Sequence, residues 1–219
     1  MSVPDRRGPS TGDDDDGFPA GFFRRTDESS DDGFYVPDRF VTHIDERAVD
    51  AVGALYEDLR LDGRVLDVMS SWVSHFRRPP AELVVLGMNA DELAANPAAA
   101  ERVVHDLNGD PTLPFADGRF DAATCCVSVD YLVRPIEVFA EVRRALVDGG
   151  MFVCTISNRC FPTKVIHGWL AADRAGRCRI VAEYFARSGG WSEPVAAACT
   201  PPGTPGDPLD AVWATAVSR

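Results

Sequence analysis

The chain of 219 residues is long enough for one or two globular domains, and 45% of its residues are hydrophobic, a normal share for a protein with a buried core. Its formal net charge of −12 disfavours nucleic acid as a partner, because duplex binding needs clustered lysines and arginines. No apolar run reaches the roughly 18 residues that cross a bilayer, and the N-terminus lacks the apolar stretch of a secretory signal. We therefore expect a cytoplasmic protein that binds neither nucleic acid nor membranes.

The six cysteines agree with that compartment. They form no CxxC pair and no Cys/His cluster with zinc-ligand spacing, so the sequence predicts no metal site. Cys125, Cys126 and Cys154 lie in apolar runs, where a thiol behaves as a small hydrophobic group. We expect reduced cysteines that pack in the core.

The first 33 residues differ in composition from the rest of the chain. They carry nine acidic residues against four arginines, and their apolar patch is short, consisting of Phe18, Phe22 and Phe23. Such a segment buries too little surface to offset the entropy of ordering it. The sequence predicts a flexible acidic tail over residues 1–33 and a single domain over 34–219. The alternative is that Phe22 and Phe23 dock on the domain as part of a lid.

From Phe34 onward, helix and strand patterns alternate along the chain. Apolar residues at three- and four-residue spacing from Val41 to Leu59 predict an amphipathic helix that ends near Gly63. Ser70 and Ser71 could cap a second helix that opens at Trp72. Further helices are predicted from about residue 90, over 135–146 and over 180–188. Strands are predicted at 64–68, 83–87, 102–105, 120–127, 151–156, 195–200 and 211–217.

Buried apolar strands that alternate with helices are typical of a parallel sheet covered on both faces. The last two predicted strands are joined by the Pro/Gly-rich connection 201–208, which suggests an antiparallel edge. The pattern predicts an α/β fold, a doubly wound and mostly parallel seven-stranded sheet with helices on both faces and an antiparallel C-terminal strand pair. Such sheets bind ligands beyond the carboxyl ends of their strands, so we expect functional residues directly after strands one to five.

Three segments of the chain carry distinctive motifs. Residues 113–122 read LPFADGRFDA and residues 141–150 read EVRRALVDGG. They resemble the LPF-x-D-x-x-FD segment and the E-x-x-R-x-L-x-x-G-G turn of the class I S-adenosylmethionine-dependent methyltransferases, in particular the type 11 methyltransferases. Residues 65–68 match the start of that family's first motif. The motifs occur in the family's order and cover about residues 64–156. The resemblance implies a Rossmann-like methyltransferase fold with S-adenosyl-L-methionine as cofactor.

The resemblance also implies a cofactor site. Asp106 ends the third predicted strand, where the family's acidic residue accepts a hydrogen bond from the adenine amino group, with the Leu107 backbone beside the purine. The alternative for Asp106 is a turn residue, since Asn108 and Gly109 follow it. The main chain of residues 126–127 would contact the cofactor's amino group. The expected cofactor-binding residues are Asp67, Met69, Ser70, Ser71, Met88, Asn89, Asp106, Leu107, Cys126 and Val127.

The sequence departs from the family at two places. The family's glycine-rich turn after the first strand is replaced by residues 69–75, which contain no glycine. Ser70 and Ser71 could instead offer hydroxyls and N–H groups to the methionine carboxylate. Asn89 stands where the family has an acidic residue that binds the ribose hydroxyls, and its amide can accept from one hydroxyl and donate to another.

Polar side chains near the same edge of the sheet are candidates for chemistry. His43 and Tyr131 are the expected catalytic residues, because a histidine is the side chain best suited to act as a base near neutral pH and a phenol can donate a proton. The expected substrate-binding residues are His75, Asn158 and Arg159. The alternative for each histidine is a structural or surface role.

Methyl transfer to a small-molecule acceptor is the leading hypothesis for function. The protein then needs mainly to hold the acceptor in line with the methyl carbon and to exclude water. A second hypothesis keeps the cofactor but changes the chemistry to cyclisation or elimination of its aminopropyl arm. A third is a non-catalytic methyltransferase-like binding module, which the missing glycines and Asn89 favour.

Overall fold

The computed structural model describes residues 17–218. Its helices are α1 (Asp31–Tyr35), α2 (Glu46–Asp58), α3 (Ala90–Ala95), α4 (Pro135–Ala145), α5 (His167–Leu170) and α6 (Arg174–Ser188). Its strands are β1 (Arg64–Val68), β2 (Glu82–Gly87), β3 (Glu101–Val104), β4 (Phe120–Cys126), β5 (Leu146–Ile156), β6 (Val195–Ala198) and β7 (Asp210–Thr215). None of these helices is both long and apolar enough to cross a membrane within the described part of the chain.

The seven strands form one sheet in the order β3-β2-β1-β4-β5-β7-β6. Strands β1 to β5 pair in parallel, and β7 runs antiparallel to both β5 and β6. The predicted fold class is therefore confirmed, including the antiparallel C-terminal pair. The strand order reverses between β1 and β4, and ligands bind at such a switch point, outside the carboxyl ends of the strands.

Helices cover both faces of the sheet. On one face, Phe139 of α4 and Phe185 of α6 pack against Phe152 of β5 with ring centroids 4.9 and 5.7 Å from the Phe152 ring. On the other face, Val52 and Tyr56 of α2 belong to a separate buried apolar cluster that includes residues of β1, β2 and β5. Burial on both faces explains why the central strands are continuous apolar runs.

The helix predicted at Trp72 does not form, and residues 69–81 of the described chain contain neither helix nor strand. The Ser70 N–H donates to the Leu86 carbonyl oxygen (2.8 Å), so the chain continues along the end of β2 where a helix would turn away from it. Gly87 permits this approach, because a Cβ at that position would lie 2.2 Å from the Ser70 carbonyl oxygen.

Helix α2 begins at Glu46, later than the apolar spacing from Val41 predicted. Asp45 caps it by accepting from the Ala48 N–H (2.9 Å), and His43 has a left-handed backbone with φ of 59°. Residues 41–44 therefore form bends and irregular chain that lead into the helix.

Residues 17–33 pack against the domain, whereas the sequence predicted a flexible tail up to residue 33. Phe18 and Phe23 contact Tyr184 of α6, with ring centroids 5.7 and 6.2 Å apart. The Gly168 N–H donates to the Phe22 carbonyl oxygen at 2.9 Å. The partner rings lie more than 150 positions away in the sequence, so no local pattern shows this packing. The acidic run at 13–16 lies outside the described residues.

A buried ion cluster anchors this segment. Lys164 is fully buried, and its Nζ lies 3.1 Å from both Asp27 Oδ2 and Asp31 Oδ1. Arg25 donates to both oxygens of Asp31 at 2.8 Å, and the Asn108 amide donates to Asp31 Oδ2 at 2.9 Å. A cation without contact to water needs such partners. The segment at 25–45, which we call the strap, is thereby fixed to the loop after β3.

Replacing Lys164 by Met should lower the free energy of unfolding by about 3 kcal/mol, because it removes one partner of a buried ion pair and leaves the other charge uncompensated. Urea denaturation measures this loss. The matched control is Arg24→Met, which removes an exposed ion pair to Glu28 at 3.7 Å and should cost less than about 1 kcal/mol. Equal losses for the two variants would contradict the proposed anchor.

Candidate active site

A cavity of about 930 Å³ lies beyond the carboxyl ends of β1, β2, β3 and β4, beneath the strap. The structure brings every sequence-predicted site residue into its wall: His43, Asp67, Met69, Ser70, Ser71, His75, Met88, Asn89, Asp106, Leu107, Cys126, Val127, Tyr131, Asn158 and Arg159. This volume lies within the range of about 300–1,000 Å³ that is typical of pockets for drug-sized ligands.

Hydrogen bonds hold the strap against the walls of the cavity. The Arg39 N–H donates to Glu92 Oε1 at 2.7 Å, and the Trp72 indole N–H donates to the Val41 carbonyl oxygen at 3.1 Å. At the far end, the Asp45 N–H donates to Asp207 Oδ2 and the Asp207 N–H donates to Asp45 Oδ2. The strap therefore forms a roof that is fixed at several points.

Asn89 does not have the free amide that the sequence suggested for ribose binding. Its Oδ1 caps α3 by accepting from the N–H groups of Asp91 and Glu92, both at 2.9 Å. Its Nδ2 donates to the Tyr35 carbonyl oxygen and to Asp38 Oδ1, both at 3.0 Å. Both ends of the amide are used within the protein, which corrects the expected contact with a ribose hydroxyl.

The two serines after β1 also differ from expectation. The Ser70 hydroxyl donates to Asp67 Oδ2 (2.6 Å), and the Ser71 hydroxyl donates to Glu92 Oε2. Neither proton is available for a methionine carboxylate, and neither serine caps a helix. Asp67 accepts a second bond from Thr124 (2.7 Å), and burial raises the pKa of its carboxyl. Asp67 thus joins β1, β4 and the loop after β1.

Glu92 is a candidate that sequence reasoning missed. Asn89 and Glu92 have the spacing of a capping box, in which the glutamate side chain would turn back to its own helix end. Here the Glu92 carboxylate accepts from the strap and from Ser71, and the residue is 8% exposed. No lysine, arginine or histidine of residues 17–218 forms a salt bridge with it. An uncompensated carboxylate therefore faces the cavity at the end of β2.

Asp106 is compatible with both roles that its sequence position suggested, a turn residue and a ligand-binding residue. Its Oδ1 accepts from the Asn108 N–H (2.9 Å), which makes it a turn residue. Its Oδ2 has no hydrogen-bond partner among the described residues and belongs to the cavity wall. One carboxylate oxygen thus remains for a ligand donor at the end of β3.

Backbone strain is concentrated at the cavity. Five non-glycine residues of the described chain have positive φ, and four of them line the cavity: His43 (59°), Met69 (55°), His75 (54°) and Val127 (45°). Left-handed backbone costs a side-chain-bearing residue roughly 1 kcal/mol, and more for a β-branched one. Met69 stands at the first glycine position of the resembled turn and keeps a glycine-like conformation. Strain of this kind is typical of functional sites.

His43 and Tyr131 both contact the ring of Phe161. The His43 ring centroid is 5.3 Å from that of Phe161, and burial lowers the pKa of the histidine, which is therefore neutral near pH 7 and can accept a proton. The Tyr131 oxygen accepts from the Phe161 N–H (2.8 Å), and burial raises the pKa of its phenol. Tyr131 therefore stays protonated and holds the loop after β5. Burial also lowers the pKa of His75.

Residues 68–154 match the family model described as a methyltransferase domain. Over these residues the chain is similar to a methyltransferase domain. The match spans the strand ends that build the cavity, and it confirms the resemblance to class I S-adenosylmethionine-dependent methyltransferases. None of the curated protein sequences is similar enough to match the chain.

Solved structures share the fold of this domain. A methyltransferase from Bacillus halodurans, described as putative, is 14% identical, with a TM-score of 0.52 over 76% of this chain and 99% of its own. A possible histamine N-methyltransferase from Thermotoga maritima is 12% identical, with a TM-score of 0.56 over 77% and 89%. The [4+2]-cyclase SpnF is 14% identical, with a TM-score of 0.54 over 78% and 82%. At sequence identities this low, the structural similarity establishes a common fold.

Restoring the family's acid by Asn89→Asp should lower stability by about 1–2 kcal/mol, because aspartate keeps the cap but loses two donated bonds and faces the carboxylate of Asp38. Thermal unfolding measures the loss. Asp91→Asn changes the neighbouring residue, whose side chain makes no hydrogen bond within the described chain, and should leave stability within about 0.5 kcal/mol. A gain in stability for Asn89→Asp would show that the amide does not hold the strap.

Asp130, which directly precedes Tyr131, allows the pH dependence of folding stability to be tested. Its Oδ2 is buried with no partner among the described residues, and burial raises its pKa to about 7, a rise that the charge of Arg177 opposes. The folded-state pKa lies above the unfolded value, so this group's contribution to stability is fully present below about pH 4 and is lost as pH rises to about 7. Asp130→Asn should remove that part of the pH dependence, which unfolding curves at pH 5 and pH 8 would reveal. An unchanged pH profile would mean that Asp130 is already ionised in the folded protein.

Proposed function

We propose that the protein is an S-adenosylmethionine-dependent methyltransferase that acts on a small-molecule acceptor. The carrying observation is the 930 Å³ cavity at the carboxyl ends of β1 to β4, in which Asp106 Oδ2 has no protein partner and the Glu92 carboxylate has no cation partner in the described chain. Both groups accept hydrogen bonds, and the cofactor offers donors at its adenine amino group and its ribose diol.

The residues present fit the cofactor in a way that differs from the family pattern. Asp106 Oδ2 would accept from the adenine amino group beside Leu107, as the resemblance implies. Glu92, three residues after Asn89, would accept from the ribose hydroxyls, because a carboxylate offers about four lone pairs and only two are used. The main chain at 126–127 would contact the methionine end. When bound, the cofactor supplies a methyl group on a positively charged sulfur.

The described residues then have three tasks. The strap excludes water from the cavity, which strengthens electrostatic contacts inside it. The walls hold the acceptor in line with the methyl group, and this positioning is the main requirement of the reaction. The neutral His43 ring accepts a proton from acceptors that must lose one. A roof fixed at Glu92 and Asp207, together with the acidic composition, favours a small acceptor over nucleic acid.

A second candidate is other chemistry on the same cofactor. The glycine-free turn at Met69 favours it, since side chains occupy space that the family leaves to the cofactor, and the fold is shared with a cyclase.

Calorimetry with S-adenosylmethionine tests binding, and product analysis separates the reactions. S-adenosylhomocysteine supports methyl transfer, methylthioadenosine supports loss of the aminopropyl arm, and absence of binding supports a binding module of another kind.

Replacing Asp106 by Ala should weaken S-adenosylhomocysteine binding by about 1–3 kcal/mol, because it leaves a buried adenine donor without a partner. Isothermal titration calorimetry on the folded variant measures the change. Asp110→Ala is the matched control, since Asp110 follows in the same loop, accepts from the Thr112 N–H and does not line the cavity. Wild-type affinity in the Asp106 variant would refute the adenine contact.

A further inference from the structure

Two arginines line the cavity, and neither is closely paired with an acid in the described chain. The Arg39 guanidinium donates to the carbonyl oxygens of Phe34 (2.7 Å) and Pro37 (3.1 Å) and forms no salt bridge among residues 17–218. Arg159 lies 3.8 Å from Asp207 Oδ2, beyond hydrogen-bond distance, and its side chain is 62% exposed. By contrast, Arg64 and Arg144 of the surface pair with carboxylates at 2.8 Å or less. Arginines without a close acid partner are unexpected in the cavity of a protein with net charge −12.

The two arginines converge on His43. The Arg39 guanidinium carbon lies 5.4 Å from the centroid of the Phe161 ring, and the same ring contacts His43. Arg159 is two residues before Phe161 on the loop after β5. The charges of both arginines act on the His43 ring and add to the lowering of its pKa that burial begins. This end of the cavity belongs to the strap and to β5, whereas Asp106 follows the edge strand β3.

The surroundings of Arg39 give its guanidinium a defined orientation. It stacks over the ring of Phe34 at 4.7 Å, and two of its five N–H groups are used by carbonyl oxygens. A stacked guanidinium presents its edge to carboxylate or phosphate oxygens in a bidentate manner. The Glu92 carboxylate, whose charge also acts on His43, accepts from the Arg39 backbone N–H and from Ser71, and it forms no salt bridge with the Arg39 guanidinium in the described chain.

We infer that Arg39 and Arg159 form an anion-binding subsite and that the methyl acceptor is a small acid. Its carboxylate or phosphate group docks on the two guanidinium groups, and a neighbouring hydroxyl or amine lies at His43. The inference rests on the proposed function, because it assigns an acceptor class to the same cavity.

The test is calorimetry on the full chain saturated with S-adenosylhomocysteine. The anionic probes are benzoate, 3-phenylpropionate and inorganic phosphate, and the neutral probes are benzamide and 3-phenylpropanamide. We expect at least one anion to bind with a millimolar or lower Kd and the amides to bind at least about tenfold more weakly, because charge-assisted hydrogen bonds to arginine are lost. Binding by carboxylates alone or by phosphate alone would identify the acidic group.

Variants locate the subsite. Arg159→Gln should weaken anion binding by about tenfold, and Arg39→Lys, which keeps the positive charge but loses the stacked, bidentate guanidinium, should weaken it less. Both should bind S-adenosylhomocysteine as the wild type does. The matched control is Arg47→Gln, which changes an arginine that donates to the Pro205 carbonyl oxygen outside the cavity and should leave anion binding unchanged.

The outcomes separate the two proposals. Three results would overturn the subsite and leave the proposed function standing. The first is binding of S-adenosylhomocysteine without binding of any anion. The others are equal affinity for anions and amides, and equal losses of anion affinity in the Arg159 and Arg47 variants. Failure of the wild type to bind S-adenosylhomocysteine would contradict the proposed function itself and the subsite with it.

Discussion

The buried ion pairs of Lys164 are the interaction on which the cavity depends. A fully buried ammonium group is costly unless carboxylates surround it, and the carboxylates here come from the strap at Asp27 and Asp31. Because Asp31 also accepts from Asn108, the same cluster fixes the strap to the loop after β3. The roof of the site is therefore part of the folded core, and a ligand enters a cavity whose shape is largely set in advance.

This arrangement uses up many of the polar groups that would otherwise meet a ligand. Asn89 is committed to the helix cap and the strap, and Ser70 and Ser71 are committed to Asp67 and Glu92. What remains available is a small set in the cavity wall. Asp106 and Glu92 follow β3 and β2 and supply carboxylate oxygens, and Arg39 and Arg159 supply guanidinium N–H groups. The carboxylates suit a ligand rich in donors, and the arginines suit an acidic ligand.

The sequence predicts the sheet well because the strands are buried on both faces. Residues 83–87 are apolar throughout, residues 64–68 are apolar except for Arg64 and Asp67, and the motifs before β4 and β5 fix their order along the chain. The missing helix after β1 could not be predicted, since the pattern at Ser70 is a good cap and only the approach of Gly87 from β2 shows why the chain stays extended. The packing of Phe18 against Tyr184 depends on residues too distant for any local pattern.

The candidate site was predictable in position and less so in role. Residues at strand ends were expected to meet, and they line one cavity. Which of them keep unpaired atoms depends on contacts with the strap, which local sequence does not show. Asn89 was expected to bind a ligand and is saturated, whereas Glu92, in the position of an ordinary capping-box glutamate, turns toward the cavity.

A crystal structure of the protein with S-adenosylhomocysteine tests the central claim most directly. The account predicts the ligand beneath the strap, with its adenine amino nitrogen about 3 Å from Asp106 Oδ2 and its ribose hydroxyls donating to Glu92. A ligand bound outside the strap, or one that leaves both carboxylates without a contact, would contradict it.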